Sequence, residues 1–446
     1  MTRELSYREA LREALRAALA EDDRVILLGQ DVGTRGGSYG VTAGLLEDFG
    51  AGRVLDAPSS EAAIVGVAIG AAMTGLRPVV ELTTATFAGL AYDQLAHHAA
   101  PLRTMTGGRV HAPMVLRMPQ SAGGRLGPVH SSNVEALMHH IPGLTVWAPS
   151  SPGDAHGMLS AAIRGEDPVV LLEHTLLYDT VGPVEVDERE AAPLRAARRR
   201  DGDDVTLVAT SRMVGLAQAA ARALTGEGVD AGVLDLRALR PLDEPAILDA
   251  CGATGRAVLV EEGPPQGGIT ATLAALLPRT IAVARVTGAD APVPYAASLE
   301  AAALPSAERI AAAARTLLAE ERAATPRPAP APPGPSAPAF TTTAPVDVES
   351  LLATHRASGT ALATLLADAV ADLLPTAIVI SGTDTIILGH PTPGPAPTTL
   401  TLGPITTRPT VTSGAVTIHH TAPLTLTTTT HADGAALFAS IRARLS

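Results

Sequence analysis

Asp56-Ala-Pro-Ser-Ser-Glu61 runs directly into Ala62-Ala-Ile-Val-Gly66-Val-Ala-Ile-Gly70-Ala-Ala-Met73, and this junction decides how the chain is read. A proline and two serines make a polar turn, and serine is favoured where a helix begins because its oxygen accepts an orphan backbone N–H. The helix that follows is highly apolar, and Gly66 and Gly70 permit close packing. Glu61 falls in its first turn, where the helix dipole favours an acid whatever else it does. A carboxylate leading into so apolar a helix is also partly desolvated, which suits it to share a proton with a ring nitrogen.

Working outward, short apolar runs alternate with helical stretches. Over residues 1–195 the strand-like runs are Arg24–Leu28, Arg77–Glu81, Met114–Met118, Leu144–Ala148 and Pro168–Glu173. Such alternation argues for a parallel sheet covered by helices, an α/β domain. Residues 203–322 repeat the pattern, with strands expected at Asp204–Thr210, Ala231–Arg237, Ala257–Glu262 and Ala282–Gly288, and read as a second, smaller doubly wound domain. Residues 323–345 are rich in proline and read as a semi-rigid spacer. Residues 346–446 read as a small α+β segment, with helices expected at Val348–Leu374 and Gly434–Leu445, turns at Pro391–Pro397 and β patterning over Ala415–Thr430.

Two more stretches bear chemistry. Val79-Val-Glu81-Leu-Thr-Thr-Ala-Thr-Phe87 places one of only 4 phenylalanines just beyond a strand end. There it stacks on a flat ligand ring or packs in the core; the residues alone leave both open. Met118-Pro-Gln-Ser-Ala-Gly123-Gly124-Arg125-Leu-Gly127-Pro-Val-His130-Ser131 is a small-residue loop ending in a histidine. It presents an imidazole for proton transfer at neutral pH, or holds a loop histidine satisfied by polar neighbours.

Composition narrows the choice. The 446 residues carry 33 cationic side chains, all arginine, against 45 acids, for a formal net charge of -12. That balance argues against nucleic acid, which needs clustered cations. The absence of lysine excludes a Schiff base, a lysine-bearing phosphate loop and a lipoyl-lysine arm on this chain. One cysteine, Cys251, permits no intrachain disulfide and no thiolate metal cluster. The start of the chain reads as an amphipathic helix with Leu5, Leu11, Leu15 and Leu19 on one side, not as a signal peptide. No uninterrupted apolar run is long enough to span a membrane. A soluble, cytoplasmic protein is expected.

In order and spacing, residues 4 to about 322 resemble the beta chain of the thiamine-diphosphate-dependent dehydrogenase component of pyruvate and branched-chain 2-oxo acid dehydrogenase complexes. The matching stretches are Leu27-Leu-Gly-Gln-Asp-Val32, Ala57-Pro-Ser-Ser-Glu61, Gly70-Ala-Ala-Met-Thr-Gly-Leu-Arg-Pro78, Asp93-Gln94, Val129-His130-Ser131, Pro168-Val-Val-Leu-Leu-Glu173, Leu239-Arg-Pro-Leu-Asp243 and Arg285-Val-Thr-Gly-Ala-Asp290. The resemblance implies a transketolase-like pyrimidine-binding domain followed by a transketolase C-terminal domain, both doubly wound. It implies that Glu61 bonds the aminopyrimidine nitrogen of thiamine diphosphate, that Phe87 packs on that ring, and that His130 faces the substrate. The family's alpha chain carries a Gly-Asp-Gly stretch, followed some thirty residues later by Asn, for Mg2+ and diphosphate. No such stretch stands in this sequence. The resemblance therefore implies an alpha-type partner holding the metal, in an assembly of two alpha and two beta chains, and no metal ligands here.

The tail resembles the second half of the acyltransferase domain of dihydrolipoyl acyltransferases, through Ile386-Ile-Leu-Gly389, Leu402-Gly403 and His431-Ala-Asp433-Gly434. It departs from the family's Asp-His-Arg-x-x-Asp-Gly pattern: Thr429 stands at the catalytic His position, and His431 lies two residues before Asp433. A docking or scaffold role is favoured over catalysis there. The fusion leans toward transfer of a two-carbon unit, glycolyl from a ketose phosphate, to an acyl carrier protein or to a lipoyl group on another chain, in biosynthesis. An ordinary pyruvate or 2-oxo acid dehydrogenase beta subunit is the alternative, and a non-catalytic assembly subunit a third.

Overall fold

Ser6 begins the first helix with a capping box: its hydroxyl accepts from the Glu9 N–H, and the Glu9 carboxylate accepts from the Ser6 N–H. The helix follows a first strand, β1 (Thr2–Ser6), and is labelled α1 (Tyr7–Glu21). Leu11, Leu15 and Leu19 are buried on one face of it, as their spacing predicts, whereas Leu5 lies in β1. The structure is a computed structural model that describes residues 2–185 and 195–323. Beyond these it describes residue 357 and the strand segments 340–347, 377–378, 385–388, 398–402, 406–412 and 415–428. The chain forms two units, Met1–Thr325 and Pro326–Ser446.

In the first unit the chain continues through β2 (Val25–Gly29), α2 (Leu45–Phe49), β3 (Val54–Asp56), α3 (Glu61–Met73), β4 (Arg77–Glu81), α4 (Leu102–Met105) and β5 (Val115–Gln120). Then come α5 (Pro128–Ser131), α6 (Glu135–His139), β6 (Thr145–Trp147), α7 (Pro152–Arg164), β7 (Val169–His174) and β8 (Val181–Glu185). A second lobe follows: β9 (Ala197–Arg200), β10 (Val205–Ala209), α8 (Arg212–Thr225), β11 (Ala231–Asp235), β12 (Ala238–Arg240), α9 (Glu244–Thr254), β13 (Arg256–Val260), α10 (Ile269–Leu276), β14 (Ala282–Val286), α11 (Ala297–Ala303) and α12 (Ala307–Ala323).

Seven strands make the main sheet, in the order β12-β6-β7-β5-β4-β2-β3. All its pairs are parallel except β12 with β6. Each of the five apolar runs expected in the first 195 residues is a strand of this sheet. The short β3 and β12 escaped the sequence pattern, and β12 comes from the second lobe's part of the chain to pair Ala238 with Trp147. The second sheet, β14-β13-β10-β11-β9, is parallel apart from the arginine-rich edge strand β9. One cluster of buried side chains runs from Val65 and Leu116 in the first lobe to Val208, Ile247 and Leu259 in the second. The lobes therefore share a core. Cys251 lies inside it, fully buried, and burial pushes its thiol up to about 12, so it is inert at neutral pH. No described helix is long and apolar enough to cross a membrane.

In the second unit the described segments are β15 (Phe340–Asp347), β16 (Ala377–Ile378), β17 (Thr385–Leu388), β18 (Thr398–Leu402), β19 (Thr406–Thr412) and β20 (Ala415–Thr428). They form an antiparallel sheet in the order β15-β20-β18-β17-β16, with β19 also on β20. β15 takes residues 340–345 out of the expected spacer. Pro345 is tolerated because β15 is an edge strand, where a missing N–H breaks no inner ladder. Apart from the single helical residue Ala357, the helix expected at 348–374 lies outside the described residues, as do the helix at 434–445, the turns at 391–397, His431 and Asp433.

A buried ion cluster ties the middle of the main sheet together. Arg117 on β5 is 0% exposed; its Nη1 donates to Glu81 Oε2 on β4 at 2.6 Å. Its Nε and Nη2 donate to the two Glu173 oxygens on β7 at 2.7 and 2.8 Å. The Tyr178 hydroxyl donates to Glu173 Oε2 at 2.8 Å. Removing one partner from such a cluster leaves an uncompensated buried charge, so Arg117→Met is expected to cost about 3–5 kcal/mol. The urea unfolding midpoint reads this directly; an unchanged midpoint would show that the cluster contributes nothing net.

Candidate functional site

The candidate groups spring from the C-terminal ends of parallel strands, where ligands of open α/β sheets bind. β3 ends at Asp56, and the turn after it delivers Glu61 as the first residue of α3. Asp56 braces the neighbouring loop by accepting from the Gly33 and Thr34 N–H groups at 2.6 and 3.0 Å. Burial works against its charge, yet these hydrogen bonds prevail and hold its carboxyl below the usual range. Gln30, just past β2, joins the two sides of the crevice. Its Oε1 accepts from Ser59 Oγ at 2.8 Å, before α3, and from Thr83 Oγ1 at 3.5 Å, after β4.

Glu61 is 8% exposed, and its carboxylate makes no hydrogen bond or ion pair among the described residues. Its N-cap, Ser60, offers no side-chain hydrogen bond. The acid thus stands at a helix start with apolar Ile64 and Val65 buried behind it. Phe87 lies in a 3-10 turn, Ala85–Ala91, after β4, and His130 in α5 after β5. The structure brings these two together: their ring centroids are 5.5 Å apart, tilted by 60°. The half-buried Phe87 and the exposed His130 imidazole therefore form one ring surface, and the core-packing alternative for Phe87 gives way. Thr84 Oγ1 donates to the His130 carbonyl at 3.3 Å and Thr86 Oγ1 to the Val129 carbonyl at 2.5 Å, pinning α5 to the β4 turn.

Behind His130 lies a polar seam between the lobes that sequence reasoning missed. Gln120, at the end of β5, accepts from the Val134 N–H at 3.0 Å and donates to Glu135 at 3.2 Å. Glu262, from the second lobe, meets His174 Nε2 at 3.2 Å and Arg212 Nη1 at 3.3 Å. Burial, and then the neighbouring Glu262 carboxylate, push Glu135 up to about 8. The only sequence signal was the placing of Glu135 within an otherwise apolar run.

A cavity of about 600 Å³ lies elsewhere, between α1, α7 and β8, and none of Glu61, Phe87 or His130 lines it. Its Arg24, Arg77, Arg199 and Arg237 are each paired with a carboxylate. Glu61, Phe87 and His130 stand instead on the segments that follow the ends of β3, β4 and β5.

Comparison with known proteins agrees with this geometry. Residues 3–180 match the family described as transketolase, pyrimidine binding domain, and residues 194–310 match transketolase, C-terminal domain. The pyruvate dehydrogenase E1 component subunit beta-1, mitochondrial, of Arabidopsis thaliana is 42% identical over 323 residues, covering 70% of this chain and 89% of that one. The pyruvate dehydrogenase E1 component subunit beta of Rickettsia bellii is 41% identical over 310 residues, covering 68% and 95%. A solved split gene transketolase, described as an inactive beta4 tetramer, superposes with a TM-score of 0.60 at 24% identity, over 71% of this chain and 98% of its own. That likeness speaks to the fold alone. The two family matches define a protein of the transketolase-like, thiamine-diphosphate-dependent class. Within that class, the chain belongs to the family of pyruvate dehydrogenase E1 beta subunits.

Glu135 makes stability depend on pH in a stated direction. The folded chain keeps a proton that an unfolded glutamate releases near pH 4.3, so the contribution is complete below that value and is lost as pH rises toward about 8. Urea midpoints of the wild type are expected to fall from pH 5 to 8, and those of Glu135→Gln to fall less. Parallel curves for the two would reject the assignment.

Proposed function

We propose that the chain is the beta-type half of a thiamine-diphosphate enzyme and that an alpha-type chain supplies the other half. The observation that carries this reading is Glu61, a largely buried acid without a partner at the crevice that holds the Phe87–His130 ring pair. An acid with nothing to bond, on a helix that packs against the turn bearing an aromatic ring, fits a nitrogen heterocycle. Bound there, thiamine diphosphate supplies the electron sink for cleaving a bond next to a carbonyl carbon. Glu61 holds and shares a proton at the ring nitrogen, Phe87 packs on the ring, and His130 faces the substrate and moves protons at its oxygen. Among the described residues no group of three or more His, Cys, Asp or Glu is arranged to hold a metal ion. The reading assigns Mg2+ and the diphosphate to the alpha-type chain because the resemblance to the family's beta chain implies it.

The bare face of α3 supports the same partner. Ala63, Gly66, Val67, Gly70 and Met73 line it, with Val67 61% and Met73 50% exposed, and Leu90 nearby is 64% exposed. Small residues on a helix allow a second helix to approach closely, and an apolar face of this kind marks an interaction site. In an assembly of two alpha and two beta chains, Val67→Arg is expected to leave the lone chain folded yet abolish assembly, read by light scattering; normal assembly would remove this support.

Kinship with pyruvate dehydrogenase subunits favours acetyl transfer from pyruvate to a lipoyl group, which must sit on another chain because this one has no lysine. The added unit after residue 325 favours a second reading, glycolyl transfer from a ketose phosphate to an acyl carrier protein in biosynthesis. Mixing the chain with its alpha-type partner, cofactor, Mg2+ and carrier, and weighing the carrier by mass spectrometry, separates the two. Acetyl from pyruvate supports the first and glycolyl from xylulose 5-phosphate the second. No acylation by a cofactor-loaded pair leaves only an assembly subunit. Glu61→Gln is expected to lower activity at least about 100-fold, the usual scale of an acid–base contribution; full activity would sink the proton role.

A further inference from the structure

Between β5 and His130 the backbone passes three times through left-handed conformations, at Gly123 (φ +86°), Arg125 (φ +61°) and Gly127 (φ +71°). Alternation of this kind turns successive N–H groups toward one side and makes a concavity for an anion. A carboxylate of the chain's own second lobe fills it. The Gly123 N–H donates to Glu300 Oε1 at 3.0 Å, and the Arg125 N–H donates to Oε1 and Oε2 at 3.2 and 3.1 Å. Glu300 lies on α11 and is only 2% exposed. A non-glycine residue at positive φ is held there only where its surroundings compensate the strain, and Glu300 does so for Arg125. Two residues later Gly127 passes against the ring of Tyr295, so closely that a Cβ would lie 2.2 Å from two ring carbons. α5, which carries His130, begins at the next residue.

We propose that Glu300 is a positioning residue: from the second lobe it locks the 123–127 turn and so fixes His130 against Phe87. Thr84 and Thr86 hold α5 from the other side, through the backbone carbonyls of His130 and Val129. Loss of Glu300 frees one of these two restraints and leaves two N–H groups without an acceptor. Glu300→Gln retains one carbonyl oxygen and is the milder variant. The proposal rests on the role given to His130 above, and its test separates the two.

The assembled complex, with cofactor and an acceptor carrier, is measured as wild type, Glu300→Gln, Glu300→Ala, His130→Ala and His130→Ala combined with Glu300→Ala. Glu300→Ala is expected to lower kcat about tenfold or more, the scale of a lost charge-assisted hydrogen bond, with donor KM changed less than about twofold and Glu300→Gln falling between. In the His130→Ala background the same change is expected to cost nothing further, because the two residues act through one group. Losses that multiply would make Glu300 a general stabiliser and overturn the proposal. Hydrogen exchange gives a readout free of activity: Gly123 and Arg125 amides are expected to exchange at least about tenfold faster in Glu300→Gln, with β5 unchanged. Unchanged exchange at those amides overturns the clamp. Full activity of His130→Ala, with faster exchange in Glu300→Gln, confirms the clamp but overturns the function assigned to what it holds.

Discussion

Arg117 is the constraint on which the site's geometry depends. A guanidinium with no access to water must be satisfied by carboxylates in fixed places, because its planar fork accepts few geometries. Burial works against its charge, but Glu173 and Glu81 outweigh that and keep it firmly protonated. Burial in turn pushes Glu81 up, against the pull of Arg117, so the cluster tolerates its excess of acid. The three side chains come from β4, β5 and β7, adjacent in the sheet, and they fix those strands near their C-terminal ends. The turns bearing Phe87 and His130 leave from those ends. The loop after β2 is locked by the same cluster, since Gly37, at φ +77°, passes where a Cβ would lie 2.6 Å from Glu81 Oε1.

The first lobe does not finish the site alone. β12 closes an edge of its sheet, Glu300 fills its loop, and Glu262 reaches His174 across a shared core. Arg199 on β9 adds a fourth tie, bonded to Asp235 on β11 at 2.8 Å and paired with Asp154 on α7. Contacts of this kind span many residues of chain, so they cost loop entropy and must be offset by burial. That both lobes contribute to one apolar cluster is what makes the ties rigid enough to position side chains.

This arrangement explains what the sequence disclosed and what it did not. Parallel strands buried on both faces read as continuous apolar runs, so Val79–Glu81, Val115–Met118 and Val169–Leu172 were legible. Val54–Asp56 and Ala238–Arg240 are three residues each, too short for a period, and Ala238 pairs with a residue far away in sequence. Glu61, Phe87 and His130 stand out as candidates from order and spacing in a family pattern, and the structure brings Phe87 to His130. Gln30, Glu135 and Glu300 were not, because each gains its meaning from a partner on another element. Leu299-Glu300-Ala-Ala-Ala carried a faint signal of the kind given by Glu61, an acid within apolar surroundings. In the tail, threonine-rich alternation was legible as strands, while the prolines around Pro345 read as spacer because nothing local tells an edge strand from a linker.

Glu61 and the bare face of α3 are two features of one helix. A stripe of alanine, glycine, valine and methionine left in water is unfavourable, and the Glu61 carboxylate at the head of the same helix bonds nothing among the described residues. A domain that worked alone would gain from polar residues at Val67 and Met73. Keeping the bare face and the unbonded acid makes sense if one event satisfies both. Under the proposed function, a second chain packs on the small residues of α3 and closes the crevice over the helix's first turn, where the heterocycle then meets Glu61. On that reading Gly66 and Gly70, which carry no side chain on the exposed face, would let the second chain approach α3 closely.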